Sequence, residues 1–198
     1  AQQAGAMSRS EFLKAIRALS ARYVERRGLL TDRSPIDSAG KRAAFAGFYA
    51  PLHLITAQGV LRELGGVPQV DTVVDAGCGT GVAGAAWALT APRRPAILGI
   101  DLSAWALDVA RAAWRDLDLR GRAVRGDAVR ELDRLARRTS GRDASGRLGV
   151  ILGWSLNELD ASARGRALAA LQTLAERGTP ILALEPIRSE EHTSELQS

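Results

Sequence analysis

The chain has 198 residues, 46% of them apolar, which is enough for one domain with a hydrophobic core. The single cysteine, Cys78, excludes a disulfide framework and any multi-cysteine metal or iron–sulfur site within the chain, and a reducing cytoplasm is the expected location. The sequence has no run of eighteen apolar residues, so we expect no membrane span. The net charge of +5 permits contact with nucleic acid or the ribosome, although 27 basic residues with only two lysines also fit a GC-rich coding bias.

The first 66 residues predict an N-terminal helical extension. Ser8 and Glu11 have the spacing of a capping box, and apolar residues recur at helical intervals after them. A second helical stretch begins at Asp37 and continues to Gly65, which is a natural helix stop. We expect a bend in this stretch near Pro51, because proline removes a backbone donor and clashes with the preceding turn.

The core is predicted over residues 67–187, where short apolar segments alternate with helical ones. The predicted strands are Val70–Ala76, Ala96–Leu102, Arg122–Arg125, Leu148–Trp154 and Pro180–Glu185. Ser103 and Asp160 stand where two of the helices between them need N-caps, and Leu168 is expected on the apolar face of the last helix. Strict alternation predicts an α/β fold with a doubly wound parallel sheet covered on both faces.

The composition changes abruptly at the end of the chain. Residues 188–198, RSEEHTSELQS, resemble the translation of a sequencing-library adapter, and we exclude them from the fold as a non-native tail. Because His192 lies in this tail, His53 is the one histidine left for chemistry.

The most informative stretch is VVDAGCGTG, in which an apolar strand brings Asp75 to its carboxyl end. Gly77, Gly79 and Gly81 alternate in the turn that follows, so a ligand can lie against bare amides beside a helix N-terminus. With Gly84 the stretch also satisfies GxGxxG, the dinucleotide fingerprint, which keeps an NAD-dependent oxidoreductase open as an alternative. That fingerprint would start four residues past Asp75, however, and a carboxylate suits an ammonium group better than a pyrophosphate.

Two further acids end the next two predicted strands. Asp101 follows the second strand, where it can accept both hydroxyls of a ribose, and Asp127 follows the third. NAD sites also use an acid at the position of Asp101, so Asp127 discriminates better between the two ligands. Because the carboxyl ends of parallel strands meet at one edge of the sheet, we expect both acids to lie near Asp75.

Together VVDAGCGTG, ILGIDLS and RGDA resemble motifs I, II and III of the class I S-adenosylmethionine-dependent methyltransferases. The resemblance implies a Rossmann-like sheet of order 3-2-1-4-5 that is C-terminally truncated, because the final antiparallel hairpin of the seven-stranded fold is missing. It implies S-adenosylmethionine as the cofactor and methyl transfer as the activity, with Asp127 accepting the adenine amino group. The residues implied in cofactor binding are Asp75, Ala76, Gly77, Cys78, Gly79, Gly81, Asp101, Leu102, Asp127, Ala128 and Trp154.

The same resemblance implies an acceptor pocket at the fourth strand. Ser155 and Asn157 follow that strand, while Tyr49 and His53 lie on a helix that commonly covers the cofactor in this fold. The alternatives are core packing for Tyr49 and His53 and a helix cap for Asn157. No general base is identified and no metal is expected. The acceptor is a small molecule or RNA; DNA is not expected, because the Asn/Asp-Pro-Pro-aromatic motif of base-amino methylation is missing after the fourth strand.

A finer resemblance concerns FYAPLHLITAQGVLREL, GWSLNELD and GTPILALEPI. These segments are similar to the methyltransferase-like family associated with the small ribosomal subunit. The similarity implies ribosome contact and, as the alternative function, a non-catalytic assembly factor that binds S-adenosylmethionine. Members of that family often carry a cysteine cluster, which this chain lacks.

Overall fold

The computed structural model describes residues 8–25, 38–138 and 147–186. The alternating apolar segments form a five-stranded parallel sheet of order β3-β2-β1-β4-β5, which confirms the predicted doubly wound architecture. The strands are β1 Thr72–Ala76, β2 Ala96–Asp101, β3 Gly121–Arg125, β4 Leu148–Gly153 and β5 Ile181–Leu184. The predicted non-native tail, residues 188–198, lies outside the described residues.

The helices are α1 Arg9–Glu25, α2 Ala39–Ala44, α3 Ala50–Glu63, α4 Val82–Thr90, α5 Ala104–Asp116, α6 Ala128–Arg138 and α7 Ala161–Glu176. The predicted caps are confirmed. At the start of α1 the amide of Ser8 donates to Glu11 Oε2 at 2.9 Å, and the amide of Glu11 donates to Ser8 Oγ at 3.3 Å. Ser103 and Asp160 each accept a backbone hydrogen bond from the first turn of α5 and α7, at 3.3 and 2.8 Å.

Neighbouring strand residues point into two separate hydrophobic cores, as the period of two requires. Val73 packs in the core that α3, α4 and α5 cover, where Trp87 and Trp114 are fully buried. Val74 packs in the opposite core, which α6 and α7 cover, together with Leu174. The sheet is therefore buried on both faces, and its carboxyl edge is left to bind a ligand.

The expectation for Leu168 is wrong, because its side chain is 51% exposed. The buried face of α7 consists of Ala167, Ala170, Leu171 and Leu174. On a helix of 3.6 residues per turn, residue 168 lies about 60° beyond Leu171, the edge of that stripe. Alanines rather than a third leucine complete the packed face of α7.

Three glycines make room for the ring of Trp114. Gly81 lies in the loop after β1, Gly99 in β2 and Gly121 in β3, and a Cβ at any of them would come within 2.7 Å of a Trp114 ring atom. The indole Nε1 of Trp114 also donates to the carbonyl of Gly81 at 2.8 Å. One buried side chain of α5 thus joins the glycine loop to two strands of the sheet.

A π-helical turn, Phe45–Tyr49, joins α2 to α3 at the place where the sequence predicts a bend. Pro51 in the first turn of α3 would clash with the carbonyl four residues earlier in a regular α-helix. The wider π-turn is one recognised way to accommodate a disturbed hydrogen-bond ladder. The π-turn, with its aromatic side chains, therefore lies directly before the first turn of α3, which carries His53.

The continuous helical run Ala39–Glu63 is also long and apolar enough to cross a membrane by length and composition, in contrast to the expectation from apolar runs alone. Core helices of water-soluble proteins meet the same two criteria. Here 28% of its most apolar window is buried within the protein, and Ala57 and Leu61 are fully buried against α4 and the sheet. Meeting the two criteria is therefore weak evidence for a membrane span.

Candidate functional site

The glycine loop connects β1 to α4 at the carboxyl edge of the sheet. Gly77, Gly79 and Gly81 have φ angles of +73°, +50° and +79°, in the left-handed region that favours glycine. The amides of Gly77 and Cys78 donate to the carbonyl of Ile100 at 2.9 and 3.0 Å, which fastens the loop to β2. A Cβ at Gly79 would meet no heavy atom within 4 Å. The loop therefore leaves an open cradle above Gly79.

Asp75 lies beneath this loop and is fully buried. Its Oδ2 accepts a hydrogen bond from the amide of Gly84 at 2.8 Å, while Oδ1 has no hydrogen-bond partner among the described residues. Because the N-cap of α4 is Gly81, which has no side chain, Asp75 caps the helix from the neighbouring strand. Burial raises the pKa of Asp75 to about 7, and the charge of Asp101 adds to the effect, while the Gly84 bond opposes it.

Asp101 ends β2 on the open side of the loop and is half-buried. Its Oδ2 accepts from the amide of Gly79 at 2.8 Å, and its Oδ1 accepts from the amide of Ser103 at 2.8 Å. Each carboxylate oxygen keeps a further lone pair, so the group can accept two more hydrogen bonds from a ligand above Gly79. The next residue, Leu102, is 65% exposed and offers an apolar surface beside the carboxylate.

Asp127 follows β3, and its Oδ1 accepts from the amides of Val129 and Arg130 at 2.9 and 3.2 Å. These two bonds cap α6. Asp127 and the adjacent Ala128 are both half-buried. A strand-end acid can cap a helix through one oxygen and still present the other to a ligand.

Trp154 follows β4 in a left-handed conformation, with φ of +58°, which is uncommon for a large side chain. Its amide donates to the carbonyl of Leu184 at 2.7 Å, which holds the backbone in this turn. The indole ring stacks on the imidazole of His53, with centroids 4.3 Å apart and planes 17° from parallel. Burial lowers the pKa of His53, which keeps the imidazole neutral near pH 7. The structure thus brings the predicted residues of α3 and β4 together.

Ser155, in the turn after β4, contacts the end of β1 and the start of the glycine loop. Its Oγ donates to the carbonyl of Ala76 at 3.1 Å, and a Cβ at Gly77 would lie 2.8 Å from the Cβ of Ser155. Asn157 is exposed, and its proximity lowers the pKa of the Glu185 carboxyl. Ser155 therefore already has a partner that shapes the loop.

Two carboxylates of the crevice were missed by the sequence reasoning. Glu185 directly follows β5, and its Oε1 accepts from the amide of Leu156 at 2.8 Å; burial raises its pKa despite these bonds. Glu158 lies in the turn after β4 and, like Asn157, is exposed; partial desolvation of its carboxylate, together with the charges of Asp101 and Glu185, raises its pKa to about 7. The strand-end rule that identified Asp101 could have found Glu185, whereas Glu158 carries no such signal.

Cys78, which the sequence also predicts to contact the cofactor, is buried beside β2. Burial and the charges of Asp75 and Asp101 raise the pKa of its thiol, so the thiolate needed for nucleophilic chemistry is disfavoured. Its Sγ donates weakly to the carbonyl of Gly79 at 3.7 Å. Within the described ranges, no group of three or more His, Cys, Asp or Glu side chains is arranged to hold a metal ion.

Comparison with known families identifies a match to the family described as "Methyltransferase domain" over residues 73–177, more than half of the chain. This range contains the glycine loop, Asp101, Asp127 and the turn after β4. No curated protein matches the chain.

Solved structures with TM-scores above 0.5 show the same fold. An O-methyltransferase family protein from Burkholderia thailandensis is 14% identical with a TM-score of 0.53, over 81% of this chain and 48% of that one. A candidate O-methyltransferase from Nostoc punctiforme PCC 73102 is 20% identical with a TM-score of 0.52, over 82% and 48%. Magnesium protoporphyrin IX methyltransferase from Synechocystis PCC 6803, solved with bound SAM, is 16% identical with a TM-score of 0.44, over 86% and 73%. The chain spans about half the length of the first two structures.

Proposed function

Since this chain belongs to the methyltransferase domain family, with S-adenosylmethionine as its cofactor, we propose that it transfers the cofactor's methyl group to an acceptor beside Trp154. The observation that carries the proposal is the open cradle above Gly79, where Asp101 accepts from the Gly79 amide and the turn after β4 packs against the neighbouring Gly77. A methyl group bound to a sulfonium is the electrophile that the cofactor supplies when bound.

The described residues fit such a cofactor. Asp101 has free lone pairs for the two ribose hydroxyls, and Leu102 offers an apolar face beside them. Asp127 can accept the adenine amino group through the oxygen that the α6 cap leaves free. Asp75 differs from these, because a fully buried carboxylate acts on the cofactor through the shape and field of the loop rather than by direct contact.

The protein's contribution to the reaction is then alignment and exclusion of water. Holding two reactants in line can supply up to roughly 7–11 kcal/mol of the barrier. The Trp154–His53 stack and the Ser155 turn support a fixed wall on the acceptor side, because each is held by several contacts. No side chain is assigned as a general base. The acceptor is a small molecule or RNA, and a cytoplasmic location and ribosome contact belong to the same proposal.

Isothermal titration calorimetry of the chain with S-adenosylhomocysteine and with NAD tests the cofactor side of the proposal. We expect S-adenosylhomocysteine to bind and NAD to bind more weakly, because the three strand-end acids repel a pyrophosphate. Tighter binding of NAD would refute the assignment and favour the oxidoreductase. If S-adenosylhomocysteine binds and no methyl acceptor is found among small molecules and RNA, the alternative of a non-catalytic assembly factor that binds S-adenosylmethionine would replace methyl transfer.

A further inference from the structure

We propose that the acceptor side of the crevice selects an arylalkylamine, whose planar ring lies against Trp154 and His53 and whose ammonium group pairs with Glu158. This inference rests on the proposed function, because it places the acceptor beside the cofactor at the turn after β4. It adds a chemical class for the acceptor, which neither the family nor the fold assigns.

The first support is an aromatic cluster that links α3 to β4. Phe45 stacks on Tyr49 with ring centroids 6.1 Å apart, and His53 lies 6.1 Å from Phe45 and 6.2 Å from Tyr49. His53 in turn stacks on Trp154 at 4.3 Å. All four rings are only partly buried, so the cluster keeps ring surface for a further aromatic group. Partly exposed rings around a crevice are the usual lining of small-molecule pockets.

The second support is that both ends of this cluster are fixed by unusual backbone. The π-turn Phe45–Tyr49 precedes His53, and Trp154 has a left-handed backbone. π-Turns and strained residues occur frequently at functional sites, because the surrounding structure must hold them at a cost. Pro51 accounts for the π-turn, so the left-handed backbone of the bulky Trp154 is the feature that points to a functional constraint. The pair therefore resembles a rigid platform for a planar group.

The third support is the charge of Glu158. No hydrogen bond or ion pair joins its carboxylate to any described residue. The nearby Glu185 accepts from the amide of Leu156 through Oε1 at 2.8 Å, while its buried Oε2 also has no partner among the described residues. The like charges of Asp101 and Glu185 act on Glu158, so an ionised carboxylate there lacks a compensating cation. A ligand ammonium group supplies that cation. An anionic acceptor would meet three carboxylates and is disfavoured.

The cofactor also carries cationic groups, so the experiment must distinguish the two sources of positive charge. We suggest ligand-observed NMR titrations of the full chain saturated with S-adenosylhomocysteine, which has lost the sulfonium charge. The probes are 2-phenylethylamine, its saturated counterpart 2-cyclohexylethylamine, and phenylacetate, which has the ring and the opposite charge. We expect 2-phenylethylamine to bind about threefold to tenfold more tightly than the cyclohexyl amine, from ring stacking. Phenylacetate should bind more weakly than both amines.

Variants assign these preferences to residues. Glu158→Gln should weaken 2-phenylethylamine at least fivefold and leave S-adenosylhomocysteine binding within twofold. Glu63→Gln is the matched control, since Glu63 is exposed ten residues along α3 from His53, about 15 Å on a helix. His53→Leu should remove the preference for the aromatic over the cyclohexyl amine. Trp154→Phe keeps a ring and should retain it, which guards against misfolding as the cause.

Equal binding of the three probes, or none at all, by a chain that binds S-adenosylhomocysteine would overturn the inference and leave the proposed function standing. If Glu158→Gln weakens the binding of 2-phenylethylamine and of S-adenosylhomocysteine equally, Glu158 belongs to the cofactor site and the inference is also overturned. If S-adenosylhomocysteine itself fails to bind, the proposed function fails. The same probe comparison on the cofactor-free chain then still decides whether the aromatic and carboxylate pocket exists.

Discussion

The packing of Trp114 beneath the glycine loop makes a prediction that a single pair of alanine substitutions can test. Gly81 and Gly65 have nearly the same φ, +79° and +83°. A Cβ on Gly81 would lie 2.7 Å from the Trp114 ring, whereas a Cβ on Gly65 would meet nothing within 4 Å. The two substitutions therefore share the strain of a positive φ, and the clash with the indole is present in Gly81→Ala alone.

The expected losses follow from these two contributions. Left-handed strain costs an alanine about 1–2 kcal/mol, which is the whole expected loss for Gly65→Ala. Overpacking a buried ring costs a further 1–3 kcal/mol, roughly, so Gly81→Ala should lose about 2–5 kcal/mol of a total stability of about 5–15 kcal/mol. Urea denaturation followed by circular dichroism measures both free energies of unfolding.

A third variant tests the cause. Trp114→Phe removes the part of the indole nearest Gly81 and the hydrogen bond of Nε1 to its carbonyl. In the double variant the clash is relieved, so Gly81→Ala should cost at least 1 kcal/mol less, roughly, when it is combined with Trp114→Phe than when it is made in the wild type. Equal losses for Gly81→Ala and Gly65→Ala, or simple additivity in the cycle, would show that the ring does not hold the loop.

Two further predictions concern the acids of the crevice. The pKa of Asp75 rises from 3.8 to about 7 on folding, so between these pH values the folded chain keeps a proton that the unfolded chain loses. The contribution of Asp75 to the free energy of unfolding should therefore fall as pH rises from about 4 to 7 and then level off. Asp75→Asn keeps an acceptor for the Gly84 amide without the buried charge. Its free energy of unfolding minus that of the wild type, measured by urea denaturation at pH 4, 6 and 8, should therefore increase with pH. A difference that does not change with pH would contradict the assigned effect of burial. Asp101→Ala should weaken S-adenosylhomocysteine binding by about 2–4 kcal/mol in calorimetry, because two charge-assisted hydrogen bonds are lost. Asp116→Ala, an exposed acid at the end of α5, should leave the dissociation constant unchanged, and an unchanged constant for Asp101→Ala as well would make Asp101 a loop-fastening residue only.

The sequence by itself determined the elements, their order and the strand-end acids. Periodicity of two and 3.6 is a local property, and capping side chains act within three residues, so Ser8, Ser103 and Asp160 could be identified without a fold. Alternation of strands and helices then left the doubly wound sheet as the one chirally favoured arrangement. The positions of Asp101 and Asp127 followed, since parallel strands end at one edge.

Only the tertiary structure decided which way each acid faces and what it touches. Asp75 and Asp101 both end strands, yet Asp75 is enclosed under α4 and Asp101 faces the open cradle, because helix packing covers one and leaves the other. The stack of His53 on Trp154 joins residues about a hundred positions apart. Glu158 acquires its raised pKa from desolvation and from carboxylates at the ends of two other strands. Burial and charge act through space, so no spacing along the chain encodes them.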